Sequence, residues 1–331
     1  MASSSELPAL DVNHCREAHR RIAPYVHATP VLTCATLDAL AGARLYFKAE
    51  HLQKSGSFKF RGASNAILTL SPEQAKRGVA THSSGNHAQA LALAAGLQNI
   101  SAHVVMPSDS SPAKIAAAKS YGAKITICQA TLEARESALN EVLAQTGATF
   151  IHPYDDPRII AGQATAFLEL REQAPALDVV IAPVGGGGLL SGTAIAAGAS
   201  QPTIRVWGAE PELAGDAHQS LKTGVRQLPL PPITLADGLR TGLGVTTFPI
   251  IKQRVERIVL VSETEILHAM QLLWERAKFV VEPSGAVPLA AVLAAKSELR
   301  GKTVGIILSG GNVATEEMIQ MAWGERESVR A

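Results

Sequence analysis

The first arrangement of side chains with chemical promise is a lysine held between two aromatics, in Ser55-Gly-Ser-Phe58-Lys59-Phe-Arg-Gly62. An amine desolvated by such neighbours loses affinity for its proton, and a neutral amine can attack a carbonyl or act as a base. The same stretch also suits a surface lysine lying over apolar neighbours, so a second motif has to decide. Four consecutive glycines, Gly185, Gly186, Gly187 and Gly188, separate an apolar run from a helical pattern. Free backbone N–H groups at a helix start attract anions, phosphate above all. A tight turn is the simpler use, but a glycine quartet costs backbone entropy that a turn does not require. It is not a dinucleotide fingerprint, because Leu190 or Ser191 falls where the third glycine belongs, and no Gly-Lys-Ser/Thr follows to make a Walker loop. Two more polar loops stand out, Thr81-His-Ser83-Ser84-Gly-Asn86-His87 and Ser309-Gly-Gly-Asn312.

These loops need elements to position them. From Gly78 onward, β-branched runs alternate with helical patterns. Strands are expected at Gly78 to Thr81, Ala102 to Met106, Lys124 to Cys128, Val179 to Pro183, Arg205 to Gly208, Arg257 to Val261 and Thr303 to Leu308. Helices are expected to begin near Phe60, Asn86, Pro112, Thr131, Gly162, Leu189, Thr264 and Ala286. Such alternation predicts βαβ units and an α/β fold of parallel twisted sheets flanked by helices. Between Glu210 and Pro249 the rhythm loosens around Pro229, Pro231 and Pro232, and a charged tail lies beyond Trp323. In open α/β sheets ligands gather at the carboxyl ends of strands, and the Thr81, Gly185 and Ser309 loops all come directly after a strand.

Composition narrows the function. A chain of 331 residues exceeds one hydrophobic core and predicts two domains. A formal net charge of +1 and 4% aromatics argue against a nucleic-acid partner. The uncharged stretches are interrupted by polar residues, Pro183 or glycines, which argues against a membrane span. The first residues lack a signal-peptide pattern, so a cytoplasmic protein is expected. Cys15, Cys34 and Cys128 are widely spaced and read as reduced, core-filling thiols.

Taken in order and spacing, the Lys59 motif, Ser83-Ser84-Gly-Asn86-His87, Gly185 to Gly188 and Ser309-Gly-Gly-Asn312 resemble the serine/threonine dehydratase and serine racemase family. These are fold type II pyridoxal phosphate (PLP) enzymes, related to the tryptophan synthase β chain, and the match runs from about Arg20 to Asn312. The resemblance implies a large PLP-binding domain from residues 1–77 and 152–331, and a small mobile domain from 78–151. It implies that Lys59 carries the cofactor as a Schiff base, that Phe58 lies against its ring, and that the glycine quartet holds its phosphate. Asn86 would bond the 3′-oxygen and Ser309 would face the pyridine nitrogen. Ser83, Ser84, Asn86 and His87 would grip the substrate carboxylate. Ser309 is a neutral partner for the ring nitrogen and makes a weaker electron sink, favouring β-elimination or rapid reprotonation over transamination.

Ser84 sharpens the reading. Threonine dehydratases of this kind usually carry a small apolar residue there, whereas the resembling racemases and hydroxyaspartate dehydratases carry a second serine. A hydroxyl opposite Lys59 would let a proton leave one face and return on the other; the alternative is that Ser84 caps the next helix or bonds substrate. The implied activity is serine racemisation accompanied by dehydration of L-serine to pyruvate and ammonia. Dehydration of L-threo-3-hydroxyaspartate or threonine stands as the alternative. Cysteine-synthase-like replacement and a non-catalytic amino-acid sensor share the fold, but the first usually has a different lysine motif and the second would have lost reactive groups that are all present here.

The acidic stretch Glu210-Pro-Glu-Leu-Ala214-Gly-Asp216 offers hard oxygen ligands for Mg²⁺, Mn²⁺ or Ca²⁺. Solvated loop acids are the simpler reading; the resemblance implies a cation held by Glu210, the Ala214 carbonyl and Asp216. Arg135 is either a solvated helix residue or the partner of a second substrate carboxylate. His82, His87 and His103 show no metal-ligand spacing. Asp237 and Glu282 match cleft-lining positions. Gln89, Lys114 and Tyr121 resemble residues that bind a nucleotide effector between subunits in animal racemases, and the resemblance also implies a homodimer.

Overall fold

The computed structural model describes residues 10–231 and 233–314, together with 316, 319, 320 and 324. The first residues, on which the expectation about a signal peptide rests, and all of the charged tail but Gly324 lie outside the described residues. Among the described residues there are ten strands, β1 Val31–Leu32, β2 Arg44–Ala49, β3 Val79–His82, β4 Ala102–Pro107, β5 Lys124–Cys128, β6 Thr149–Phe150, β7 Val179–Pro183, β8 Arg205–Pro211, β9 Arg257–Val261 and β10 Thr303–Leu308. They form two sheets. The larger has six strands in the order β1-β2-β10-β7-β8-β9 and the smaller has four in the order β5-β4-β3-β6. Every pairing is parallel except β1 with β2.

The large sheet is buried on both faces, as parallel sheets covered by crossover helices must be. Alternation along each strand sends Val179, Ile181 and Ile306 to one core, packed by the helix Pro283–Ala294, and Val180, Ala182 and Ile307 to the other, under the helices Pro157–Gln173 and Gly188–Ala197. The helix Pro157–Gln173 begins five residues before the expected Gly162. Asp156 caps it by accepting the Arg158 N–H at 2.8 Å, and Pro157 occupies the first turn, where its missing N–H is harmless. The helix Lys59–Leu68 crosses it so closely that a Cβ on Gly162 would lie 2.6 Å from the Gly62 Cα.

The segment between Glu210 and Pro249 is more regular than expected, since it contains the helix Asp216–Thr223 and the start of the helix Thr247–Arg254. All three cysteines are free; Cys15 is buried in a core, while Cys34 and Cys128 are half-buried and pack against the edges of two others. Among the described residues no helix is long and apolar enough to cross a membrane.

Candidate active site

Lys59 is the first residue of its helix. The chain leading to it is stitched to the loop after β10. Ser57 and Gly310 form an isolated antiparallel bridge, and the Phe58 N–H donates to the Ser309 carbonyl at 3.0 Å. Two residues predicted to serve the same cofactor ring are therefore neighbours through their backbones. The Lys59 amine donates to the Pro153 carbonyl at 2.9 Å and lies 5.2 Å from the centre of the Phe58 ring. Burial pushes this amine down to about 8, against a partial pull upward from Glu282.

The glycine quartet fills a space that side chains would block. A Cβ on Gly185 would lie 2.9 Å from the Leu239 Cα, one on Gly186 would enter the Tyr154 ring, and Gly187 has a φ of +88°. Gly187 is the N-cap of the helix Gly188–Ala197, and no side chain caps that helix. Its first N–H groups thus converge in a loop with no anionic side chain of its own, an arrangement that fits a phosphate.

The loop after β3 turns into the helix Asn86–Gly96. Its N-cap is Gly85, with no side-chain cap, so capping does not occupy the exposed Ser84 hydroxyl. The Ser83 hydroxyl oxygen accepts the Gly85 N–H at 3.3 Å. Asn86 is doubly held: its Nδ2 donates to Glu282 Oε1 at 2.7 Å, and its Oδ1 accepts Asn312 Nδ2 at 3.0 Å. The network joins the Thr81 and Ser309 loops to the stretch before Lys59, because Asn312 also reaches the Ser55 carbonyl at 2.7 Å. Burial, with the nearby Asp237 charge, pushes Glu282 well above the usual carboxylate range. His87 is buried, and that burial, with the nearby Lys59 charge, holds it well below the ordinary imidazole range and favours the neutral ring.

Beyond Lys59 the wall of the site is aromatic. His82 stacks on Phe150 at 5.9 Å between centroids, and His152 meets Tyr154 edge-on at 4.6 Å. Arg135 donates its Nε to the Thr131 carbonyl at 3.3 Å, as a helix residue would. Its charge nevertheless reaches the wall, adding to the burial that lowers His82. Lys114, on the helix Pro112–Ser120, forms an ion pair with Asp237 from the other side of the cleft. Gln89 is buried within the helix Asn86–Gly96, and Tyr121 comes directly after the helix Pro112–Ser120 that packs on it.

Glu210 and Asp216 are both buried. Glu210 accepts the N–H groups of Ala217 at 2.9 Å and His218 at 2.7 Å, and burial raises both carboxyls, Asp216 to about 6. Asp216 Oδ2 has no hydrogen-bond partner among the described residues. Ala214 is buried in the short turn between them. Among the described residues no group of three or more His, Cys, Asp or Glu side chains is placed to hold a metal. The expected set, two carboxylates and a carbonyl, falls short of such a group, and a hard cation there would have to keep several waters.

Residues 22–310 match the family of the pyridoxal-phosphate dependent enzymes. The chain belongs to that family. Among curated proteins it is 52% identical over 304 residues to a serine racemase of Dictyostelium discoideum, covering 90% of this chain and 93% of that one. It is 46% identical over 301 residues to a β-hydroxyaspartate dehydratase of Paracoccus denitrificans, covering 91% and 96%. The crystal structure of serine racemase from D. discoideum superposes with a TM-score of 0.89 at 51% identity, covering 92% of this chain and 99% of that one. The fold is thus that of the fold type II PLP enzymes, and the chain is an enzyme of the PLP-dependent racemase and ammonia-lyase type. The residues present fit the cofactor: a desolvated lysine, an uncapped glycine-lined helix start, and Ser309 only 3% exposed at the end of β10.

Sequence reasoning missed Pro153, Tyr154 and Asp155, which sit between β6 and the helix Pro157–Gln173. Pro153 contributes only a carbonyl, which leaves no mark on side-chain chemistry. The Tyr154-Asp-Asp-Pro string was readable as a turn into a capped helix.

Proposed function

We propose that this chain racemises serine and, alongside, dehydrates L-serine to pyruvate and ammonia. Bound PLP supplies an electron sink that weakens the Cα–H bond of an amino acid and allows loss of a β-hydroxyl. Lys59 holds the cofactor through Nζ and, once free, moves a proton at Cα on one face. A racemase needs a second proton-bearing group on the opposite face, and Ser84 Oγ takes that role. The observation that carries this reading is the exposed Ser84 hydroxyl beside Asn86, which helix capping leaves unused. Serine racemases among the similar proteins support it.

The other residues bind and orient. Backbone N–H groups of Gly185 to Gly188 hold the phosphate, Asn86 meets the 3′-oxygen with its orientation set by Glu282 and Asn312, Phe58 packs on the ring, and the Ser309 hydroxyl faces its nitrogen. A neutral hydroxyl there favours prompt reprotonation at Cα or loss of the β-hydroxyl over amino-group transfer. Ser83, Ser84, Asn86 and His87 grip the substrate carboxylate; a substrate with a second carboxylate would meet Arg135. Residues 78–151, which contain the whole four-stranded sheet, form a small domain that closes on the rest and excludes water. The Lys114–Asp237 pair spans that closure. Glu210, the Ala214 carbonyl and Asp216 hold a divalent cation that orders the loop after β8. A homodimer in the cytoplasm, with a nucleotide effector at Gln89, Lys114 and Tyr121, completes the reading, and such an effector competes with Asp237 for Lys114.

The test is L-serine incubated with the holoenzyme in D₂O. D-Serine carrying deuterium at Cα is the expected product, and D-serine that retains the original hydrogen would contradict exchange through two residues.

A further inference from the structure

Between β6 and the helix Pro157–Gln173 the chain passes through a strap, His152 to Asp156, that touches both ends of the cofactor site. At one end the Pro153 carbonyl accepts the Lys59 amine at 2.9 Å. Two residues on, the Asp155 carboxylate accepts three consecutive backbone N–H groups from a distant loop. Oδ2 takes Val245 at 3.0 Å, while Oδ1 takes Thr246 at 2.8 Å and Thr247 at 3.1 Å. These amides open the helix Thr247–Arg254, which has no cap from its own N-terminal side chain. Asp155 supplies that cap from about ninety residues away, in the charge-assisted form that makes the stronger hydrogen bonds. Gly244 has no room for a Cβ, which would strike the Asp155 carboxylate.

Thr247 is fully buried. Its Oγ1 accepts the Gly244 N–H at 2.8 Å, and its own proton has the Gly186 carbonyl at 2.8 Å as the nearer of two acceptors, the Gly244 carbonyl lying at 3.5 Å. In a trans peptide the N–H points opposite to the C=O, so fixing the Gly186 carbonyl also fixes the direction of the Gly187 N–H. Gly187 has no slack to escape this, since its Cβ position lies 2.9 Å from Thr247 Oγ1, Ile251 and Leu243.

We propose that Asp155 is a positioning residue for the phosphate cradle: by capping residues 245–247 it seats Thr247, whose hydroxyl sets the Gly186–Gly187 peptide for an anion. This deepens the reading of Gly185 to Gly188 as the phosphate site and rests on it. The strap thereby links the seat of the phosphate to the resting acceptor of the Lys59 amine.

The test uses holoenzymes of wild type, Asp155→Ala, Asp155→Asn, Thr247→Val and Gly187→Ala. Two quantities are read: the ³¹P resonance of bound PLP and the rate of PLP loss on dilution, with melting temperature recorded beside them. Asp155→Ala and Thr247→Val are expected to shift the resonance in the same direction and to speed PLP loss on the order of tenfold, the size of a lost charge-assisted hydrogen bond. Asp155→Asn keeps one acceptor oxygen and is expected to fall between. A purely structural Asp155 would lower the melting temperature and leave the ³¹P resonance in place, which would overturn the proposal. If Asp155→Ala does not fold, wild-type values in Asp155→Asn overturn it equally. If Gly187→Ala leaves both readouts unchanged, the cradle reading itself fails. If Gly187→Ala moves them and the Asp155 and Thr247 variants do not, only the role of Asp155 fails.

Discussion

The Lys59 amine rests on the Pro153 carbonyl oxygen at 2.9 Å, a neutral acceptor. Nothing in that contact compensates a full positive charge as a carboxylate would, and burial therefore lowers the amine to about 8. The neutral fraction, which is the nucleophile, grows as pH rises through that value. The rate at which PLP-stripped enzyme regains visible absorbance with added PLP should thus rise up to about pH 8 and level off above it. A rate that keeps climbing toward the ordinary lysine range would show that the amine is not desolvated. Lys59→Ala should show no such absorbance at any pH.

The roles proposed for Ser84 and Lys59 would let two reactions of one substrate be separated. Ser84→Ala should lower conversion of L-serine to D-serine by about 10²–10⁴-fold, the usual worth of a positioned acid or base. Pyruvate formation from L-serine needs only the proton moved by Lys59 and should change by no more than a few fold. Equal loss of both products would mean that Ser84 only binds substrate or supports the loop and moves no proton.

Much of this site was legible because its parts sit in loops after strands. The β-branched runs of β7 and β10 announce strands, and the Gly185 and Ser309 strings mark the turns at their carboxyl ends. The elements before Gly78 were harder. β2 reads Arg-Leu-Tyr-Phe-Lys-Ala, and its wholly buried Lys48 pairs with Glu169, 121 positions away, at 2.6 Å while also donating to the Thr29 carbonyl. No local pattern reveals such a partner. The same holds for Asn86 and Glu282, joined at 2.7 Å across 196 positions, and for the Asp155 cap. Side-chain types marked the candidate residues, while long-range hydrogen bonds decide how each is held.

Arg61, two residues beyond Lys59, anchors that helix from its far side. It is fully buried, as is Glu50, and it donates to Glu50 at 2.7 and 2.8 Å and to Glu169 at 2.6 and 2.7 Å. Arg61→Ala would leave two buried carboxylates with only Lys48 to neutralise them. A loss of about 3–5 kcal/mol is expected, the cost of breaking a buried pair from one side, read as a lower urea midpoint. A loss under about 1 kcal/mol would place the pair among weak surface bridges.

The proposed cation site makes a separate prediction. Mg²⁺ should raise the melting temperature of the wild-type holoenzyme in proportion to ligation of the folded state. Asp216→Asn should abolish most of that rise, because Asp216 brings the one carboxylate oxygen of the set that is buried without a partner. An unchanged Mg²⁺ response in this variant would move the cation elsewhere.

The most direct measurement is product analysis. Purified holoenzyme with Mg²⁺ is offered L-serine, L-threonine and L-threo-3-hydroxyaspartate separately, and D-amino acid and keto acid are quantified for each. D-Serine formed at a rate comparable with pyruvate is the predicted result. Rapid consumption of hydroxyaspartate with negligible D-serine would contradict the account, leaving a dehydratase with Arg135 as the next residue to change.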